Sequence, residues 1–113
     1  MDQAIAMNIQ DQPEAGLVVR TRIGIMTHLA PKGVLASEEE LQPLREAVNV
    51  CLEQWETQIV VDLSAVPMLH SHALETLLDL QEQLAKVGGW LKVSNVNPLI
   101  REIFSLTRLI NSI

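Results

Sequence analysis

Gln58-Ile-Val-Val-Asp-Leu-Ser-Ala-Val-Pro-Met-Leu-His-Ser-His-Ala-Leu-Glu-Thr-Leu-Leu-Asp-Leu80 is the stretch on which the reading of this chain turns. Ile59 to Leu63 is a short apolar, β-branched run broken by one acid, Asp62. That pattern predicts a strand buried on both faces. The period then changes: Leu74, Leu77, Leu78 and Leu84 fall at helical spacing, so a helix is expected to start near Ser71. Between the two lies Pro67-Met-Leu-His-Ser-His72, a short crossing from strand end to helix start. In open α/β sheets, ligands and chemistry collect outside the C-terminal ends of parallel strands. A hydroxyl at a helix N-terminus also sits in the positive end of the macrodipole, where a phosphate would be stabilised.

Upstream of this stretch, Leu17 to Met26 reads as a strand, with Leu17, Val19, Thr21, Ile23 and Ile25 alternating with Val18, Arg20, Arg22 and Gly24. The odd-numbered set is expected to face the core. Residues 1–15 are open to two readings, a first strand over Ala4–Ile9 that forms a hairpin with the next, or a flexible segment. Thr27 to Ala36, with His28, Pro31 and Gly33, reads as a loop. Ser37-Glu-Glu-Glu40 is then a capping box, and its acids suit the helix dipole. Leu41, Leu44, Val48, Leu52 and Trp55 give that helix an apolar stripe, and Pro43 is placed to bend it or shift its start.

Downstream, Gly88-Gly89 ends the second helix. Trp90 to Ser94 reads as a strand, and Asn97-Pro98 opens a last helix with Leu99, Ile100, Ile103, Phe104 and Leu109 on its buried face. The expected architecture is α/β: about four strands in a mixed sheet with helices mainly on one face, in the order β-β-α-β-α-β-α. The helical crossovers imply parallel neighbours with right-handed connections.

The 113 residues make one domain over 1–113. Hydrophobic residues are 48% of the chain, enough for a two-layer core, and with only Trp55, Trp90 and Phe104 aromatic that core is aliphatic. The net charge of −6 and the absence of any Lys/Arg cluster argue against nucleic-acid binding, which depends on neutralising phosphates. Cys51 is the single cysteine, so no internal disulfide forms; its place in a helical stripe predicts a buried free thiol. No apolar run approaches the roughly 20 residues that span a bilayer, and no basic n-region precedes an apolar one. The expected setting is cytoplasmic, without membrane insertion.

The strand–loop–helix stretch resembles the central signature of the STAS family, the anti-sigma-factor antagonists. In that family a hydrophobic strand ending Asp-Leu-Ser is followed by a loop and then Asp-Ser-Ser/Thr-Gly-Leu opening a helix. Val61-Asp62-Leu63-Ser64 matches the strand end, Ser71 falls on the phosphorylatable serine, and Leu74 matches the leucine after it. His70 stands where the family has Asp, His72 where it has a second hydroxyl, and Ala73 where it has Gly. The resemblance covers roughly residues 15–109 in element order. The family continues with a further strand and helix beyond the position of Leu109, so one sheet edge is expected to be free for pairing, as in a homodimer.

The resemblance implies a regulatory protein, not an enzyme and with no cofactor. A serine kinase that doubles as an anti-sigma factor would bind the unmodified form and release the form phosphorylated at Ser71. Partner binding is expected at His70, His72, Glu75, Asp79 and Glu82, the loop and the acidic exposed face of the second helix. The plainer reading of Ser71 is a helix N-cap. The rival reading of the whole is a degenerate, unphosphorylated STAS scaffold, a subunit of a signalling complex or of a lipid-transport ATPase. No catalytic set is evident. Asp62 lacks a positioned partner, and Ser71 with its neighbouring histidines lacks the G-x-S-x-G elbow. A less favoured alternative gathers His28, His70 and His72 around a transition metal, if the strand before His28 runs parallel to Gln58–Leu63.

Overall fold

The computed structural model describes residues 18–107. Two strands come first, β1 (Val18–Ile23) and β2 (Met26–Pro31), followed by α1 (Glu38–Glu53), β3 (Gln58–Asp62), α2 (Ser71–Ala85), β4 (Trp90–Ser94) and α3 (Pro98–Thr107). The strands form one sheet in the order β1-β2-β3-β4. β1 and β2 are an antiparallel hairpin, and β2–β3 and β3–β4 are parallel. The expected α/β class and element order hold.

The first two strands lie elsewhere along the chain than expected. The run Leu17–Met26 does not continue as one strand. It breaks at Gly24, whose φ of 63° lets the chain reverse, and Ile25 is 71% exposed in the turn. The segment expected as a loop supplies β2 instead. Any strand over Ala4–Ile9 lies outside the described residues.

The facing is also reversed. Leu29 is fully buried and pairs with Arg20, and buried Thr27 pairs with Arg22. Directly opposed residues share a face, so the even set of β1 lies on the helix side, while Val19 and Ile23 are exposed. The two arginines are accommodated because β1 has a neighbouring strand on one side only among the described residues. Arg20 pairs with Glu56 and donates to Gln54 Oε1 at 2.8 Å, and Arg22 donates to Thr27 Oγ1 at 2.7 Å. Their charged ends thus meet the chain leaving α1, where the helix dipole favours cations.

The core lies between one face of the sheet and the helices. Leu29, Ile59, Val61 and Leu91 meet Leu41, Leu44, Val48 and Cys51 of α1, Leu77, Leu80 and Leu84 of α2, and Ile100 and Phe104 of α3. Each buried large aliphatic side chain contributes about 1.5–3 kcal/mol. Cys51 is a buried free thiol, and burial pushes its ionisation up. Trp55 does not extend the α1 stripe. The helix ends before it, and Trp55 adopts φ 60° with 81% of its surface exposed. Pro43 neither breaks α1 nor shifts its start.

Caps fix where the helices begin and end. Glu40 closes the capping box by accepting from Ser37 N–H at 3.0 Å and Ala36 N–H at 2.8 Å. The last carbonyls of α2 are taken by Gly88 N–H on Ala85 and Gly89 N–H on Leu84, a Schellman closure with Gly88 at φ 81°. Asn97 Oδ1 accepts from Ile100 N–H at 2.9 Å to start α3. Gln81 Oε1 accepts the Leu91 N–H of β4 at 2.6 Å, which occupies one donor on the side of β4 that has no neighbouring strand among the described residues.

Candidate functional site

The crossing from β3 to α2 leaves the C-terminal end of a parallel strand, and three neighbouring segments fix its path. The link between β2 and α1 runs alongside it: Gly33 N–H donates to Ala65 carbonyl at 2.9 Å, Leu35 N–H to Met68 carbonyl at 3.1 Å, and His70 N–H to Leu35 carbonyl at 2.9 Å. Leu35 and Leu69 form an isolated parallel bridge, and both are buried. From the other side, Asn97 Nδ2 reaches Pro67 carbonyl at 3.2 Å. Behind the loop, Leu63 N–H donates to Ser94 carbonyl at 2.9 Å. The loop is therefore tied backbone to backbone, and the start of α2 is held in a defined place.

Asp62 belongs to this anchorage. Its Oδ1 accepts from Ser64 N–H at 2.9 Å and from Asn95 Nδ2 at 3.1 Å. The backbone donor at Ser64 is the largest influence and, with the Asn95 amide, holds the carboxyl below its ordinary range against the opposing effect of burial. Asp62 thus joins the ends of β3 and β4.

Ser71 is the first residue of α2 and is exposed. His70, not Ser71, is the N-cap. Its backbone is extended (φ −105°, ψ 175°) and its carbonyl receives Ala73 N–H at 2.9 Å, but its side chain makes no capping hydrogen bond. Ala73, in the place of the family glycine, is fully buried. Glu75, Asp79 and Glu82 are exposed and follow Ser71 at steps of four, four and three, so they form one acidic stripe running from it along the helix. The side chain of His72 turns toward α1, where its Nε2 lies 2.8 Å from Glu38 Oε1.

Glu38 is at the centre of a group that the sequence analysis did not single out. Its Oε2 lies 2.7 Å from Arg45 Nε, an ion-pair contact without in-line hydrogen-bond geometry, and its Oε1 accepts from Arg45 Nη2 at 3.3 Å. An Arg45 terminal nitrogen donates to Thr76 Oγ1 at 2.9 Å, and the Thr76 hydroxyl donates to the His72 carbonyl at 2.9 Å. The one sequence signal for it is that Thr76 interrupts the buried stripe of α2 and Arg45 lies beside that of α1. Hydrogen bonding to His72, then to Arg45, holds the Glu38 carboxyl below its ordinary range.

The three histidines do not converge as the metal alternative required. His28 stands within β2 opposite Val60, between the buried Thr27 and Leu29, and so faces the helix-free side of the sheet. His70 caps α2, and His72 is engaged with Glu38. Among the described residues, no group of three or more His, Cys, Asp and Glu is placed to hold a metal ion. No described helix is long and apolar enough to cross a membrane.

None of the curated proteins matches the chain in sequence. Among solved structures, an anti-sigma factor antagonist from Mycobacterium paratuberculosis is similar at 23% identity and TM-score 0.73, over 85% of this chain and 80% of the other. A candidate anti-sigma factor antagonist from Thermotoga maritima gives 19% identity and TM-score 0.76, over 83% and 80%. The anti-sigma factor antagonist SpoIIAA in its unphosphorylated form gives 16% and 0.64, over 80% and 83%. At these identities the likeness is one of fold. The STAS domain family model matches residues 39–113, which takes in α1, the β3–α2 crossing with Ser71, and β4 and α3. Fold, signature strand and family model agree, and the chain belongs to the STAS domain family.

Proposed function

We propose that this protein is a regulatory binding module, not an enzyme, whose contact surface is the β3–α2 crossing and the acidic face of α2, and whose switch is phosphorylation of Ser71. The observation that carries this reading is an exposed hydroxyl at the first position of α2, on a loop held by neighbouring backbone. A kinase can reach such a hydroxyl, and a partner can read its surroundings without first ordering them. The partner is a serine kinase of anti-sigma-factor type that docks on His70, His72, Glu75, Asp79 and Glu82. A phosphate would add nearly two negative charges to a patch that is already acidic. Buried in a complex, it would weaken binding by about 2–5 kcal/mol.

A second reading is a constitutive scaffold. His70 favours it, since it brings neither a carboxylate nor a side-chain cap to the position before the serine. One experiment separates the two. The protein and its Ser71→Ala variant are incubated with ATP and lysate of the source cells, and phosphopeptides are mapped. Phosphate on Ser71, absent from the variant, supports the switch. If both stay unmodified while another STAS substrate is phosphorylated in the same lysate, the scaffold reading takes its place.

A further inference from the structure

The run Ile59-Val-Val61 is apolar throughout, the pattern of a strand covered on both faces. The helices cover one face only. Ile59 and Val61 are fully buried beneath them, while Val60 between the two lies on the other side and is half-buried. Register carries that second face across the whole sheet. Val60 stands opposite His28 and Lys92, Ile23 opposite Met26, and Gln58 opposite Trp90, and directly opposed residues share a face. Val19 and Ile23, at 46% and 54% exposure, bring further apolar surface to it. All three described helices pack on the opposite side.

The charge on this face suits a copy of itself. Every acid among the described residues lies on a helix except Glu56, which holds Arg20, and Asp62. Copies that met through their helices would therefore set carboxylate against carboxylate. The sheet face instead carries Lys92 and Asp62, one charge of each sign, among apolar side chains. Two copies related by a two-fold axis meet through the same patch, which must be complementary to itself, and a balanced, largely apolar patch is. The face is about 19 Å across its four strands and about 17 Å along them. Side chains roughen that outline, so two such faces bury on the order of 1,000 Å², the least that a specific interface needs.

We infer that the helix-free face of the sheet is the interface of a weak, two-fold symmetric dimer of this chain, sheet packed on sheet, with Val60 at its centre. The contact supplies β3 with the second cover that its sequence calls for. It also leaves the helix layer free in both copies. Ser71 and the acidic stripe of α2 belong to that layer, so the dimer presents two of these surfaces facing away from each other. A partner with two binding modules would gain from engaging both. That gain rests on the function proposed above; the dimer itself does not.

The test is sedimentation equilibrium of the full chain between about 1 and 500 μM, a range that brackets a weak dimer. The mass is expected to rise towards twice that of one chain. Val60→Lys is expected to raise the dissociation constant at least about a hundredfold, because it sets like charges together at the centre of the interface. Val19→Lys, at an exposed position that folding tolerates, is expected to raise it about tenfold, and it keeps the test open if Val60→Lys fails to fold. Leu106→Lys, on α3 at 78% exposure, is expected to change nothing. In Trp55→Phe the remaining indole, Trp90, lies on the proposed interface, and its emission is expected to move to the blue over the same concentrations as the mass rises. A wild type that stays monomeric overturns the dimer; Trp90 emission that is blue at every concentration would then assign the cover to residues 1–17. A dimer that Val60→Lys and Val19→Lys leave intact places the contact elsewhere and also overturns it. Ser71→Ala is expected to dimerise as the wild type does, so a Ser71 that is never phosphorylated would remove the switch and leave the dimer standing.

Discussion

Gly89 lies directly against Thr57. A Cβ placed on Gly89 would fall inside contact distance of the Thr57 carbonyl oxygen and 2.6 Å from Thr57 Cβ. The closeness follows from the register. Trp90 N–H donates to the same Thr57 carbonyl at 2.9 Å, which sets β4 beside β3 and brings the turn after α2 onto the strand start. The carbonyl cannot move aside without losing that hydrogen bond.

Gly89→Ala is therefore expected to destabilise the protein by about 3 kcal/mol, at the upper end of overpacking effects, and to show it as a lower urea midpoint. Gly33→Ala is the comparison. A Cβ there meets nothing, and only its φ of 87° is unfavourable, so about 1 kcal/mol is expected. Equal losses at the two sites would mean that the backbone at Gly89 shifts without cost.

His70 occupies an N-cap without capping. Its backbone already has the extended conformation that a cap needs, so a short side-chain acceptor requires no rearrangement. His70→Asp is expected to raise stability by about 1 kcal/mol, and His70→Ser by somewhat less, because only the aspartate also meets the helix dipole. Chemical denaturation at pH 7 measures both. If neither variant gains, the first-turn donors of α2 are already satisfied by water.

What the sequence made legible, and what it hid, divides along physical lines. β3, the start of α2, the capping box at Ser37, the Gly88-Gly89 stop and the Asn97 cap all follow from local chemistry, and each stands where its residues place it. The hairpin was hidden because Ile25 continues an apolar alternation that only Gly24 contradicts. Met26-Thr-His-Leu-Ala-Pro31 has little β-branched character and owes its strand state to pairing on both sides. Trp55 keeps the helical period of α1, but the chain must turn there to enter β3. At the site, the position of Ser71 was readable from the signature. The Leu35–Leu69 bridge and the Glu38–Arg45–Thr76–His72 ring were not, since both join residues about 30 positions apart or more.

Asp62 gives stability a defined pH dependence. Its folded carboxyl is held below the ordinary value of 3.8, first by the Ser64 backbone donor. A depressed carboxyl contributes stability that is present above its unfolded pKa and lost as pH falls through the folded one. Asp62→Ala is expected to cost about 2 kcal/mol at pH 7, the range for hydrogen bonds to a charged acceptor, and the deficit is expected to shrink below about pH 4 as the wild type loses the same contribution. Unfolding midpoints of both proteins between pH 3 and pH 7 measure this. A deficit constant with pH would assign the loss to packing and not to charge.

Trp55 sits where a tryptophan gains least. It is 81% exposed and left-handed at φ 60°, a conformation that costs a non-glycine residue about 1–2 kcal/mol. Neighbouring contacts impose it: Trp55 N–H donates to the Leu52 carbonyl at 3.1 Å, Glu56 N–H to Cys51 at 2.8 Å, and the Glu56 side chain holds Arg20 and Thr27. Glycine takes up this geometry without the steric cost, offset in part by its freer unfolded chain. Trp55→Gly is therefore expected to raise stability by about 0.5–1 kcal/mol, and to shift fluorescence towards the blue, because only the partly buried Trp90 then remains. Trp55→Ala keeps the left-handed cost and is expected to show no gain. A loss of stability in Trp55→Gly would mean that the indole contributes more by covering its surroundings than the turn loses by bending there.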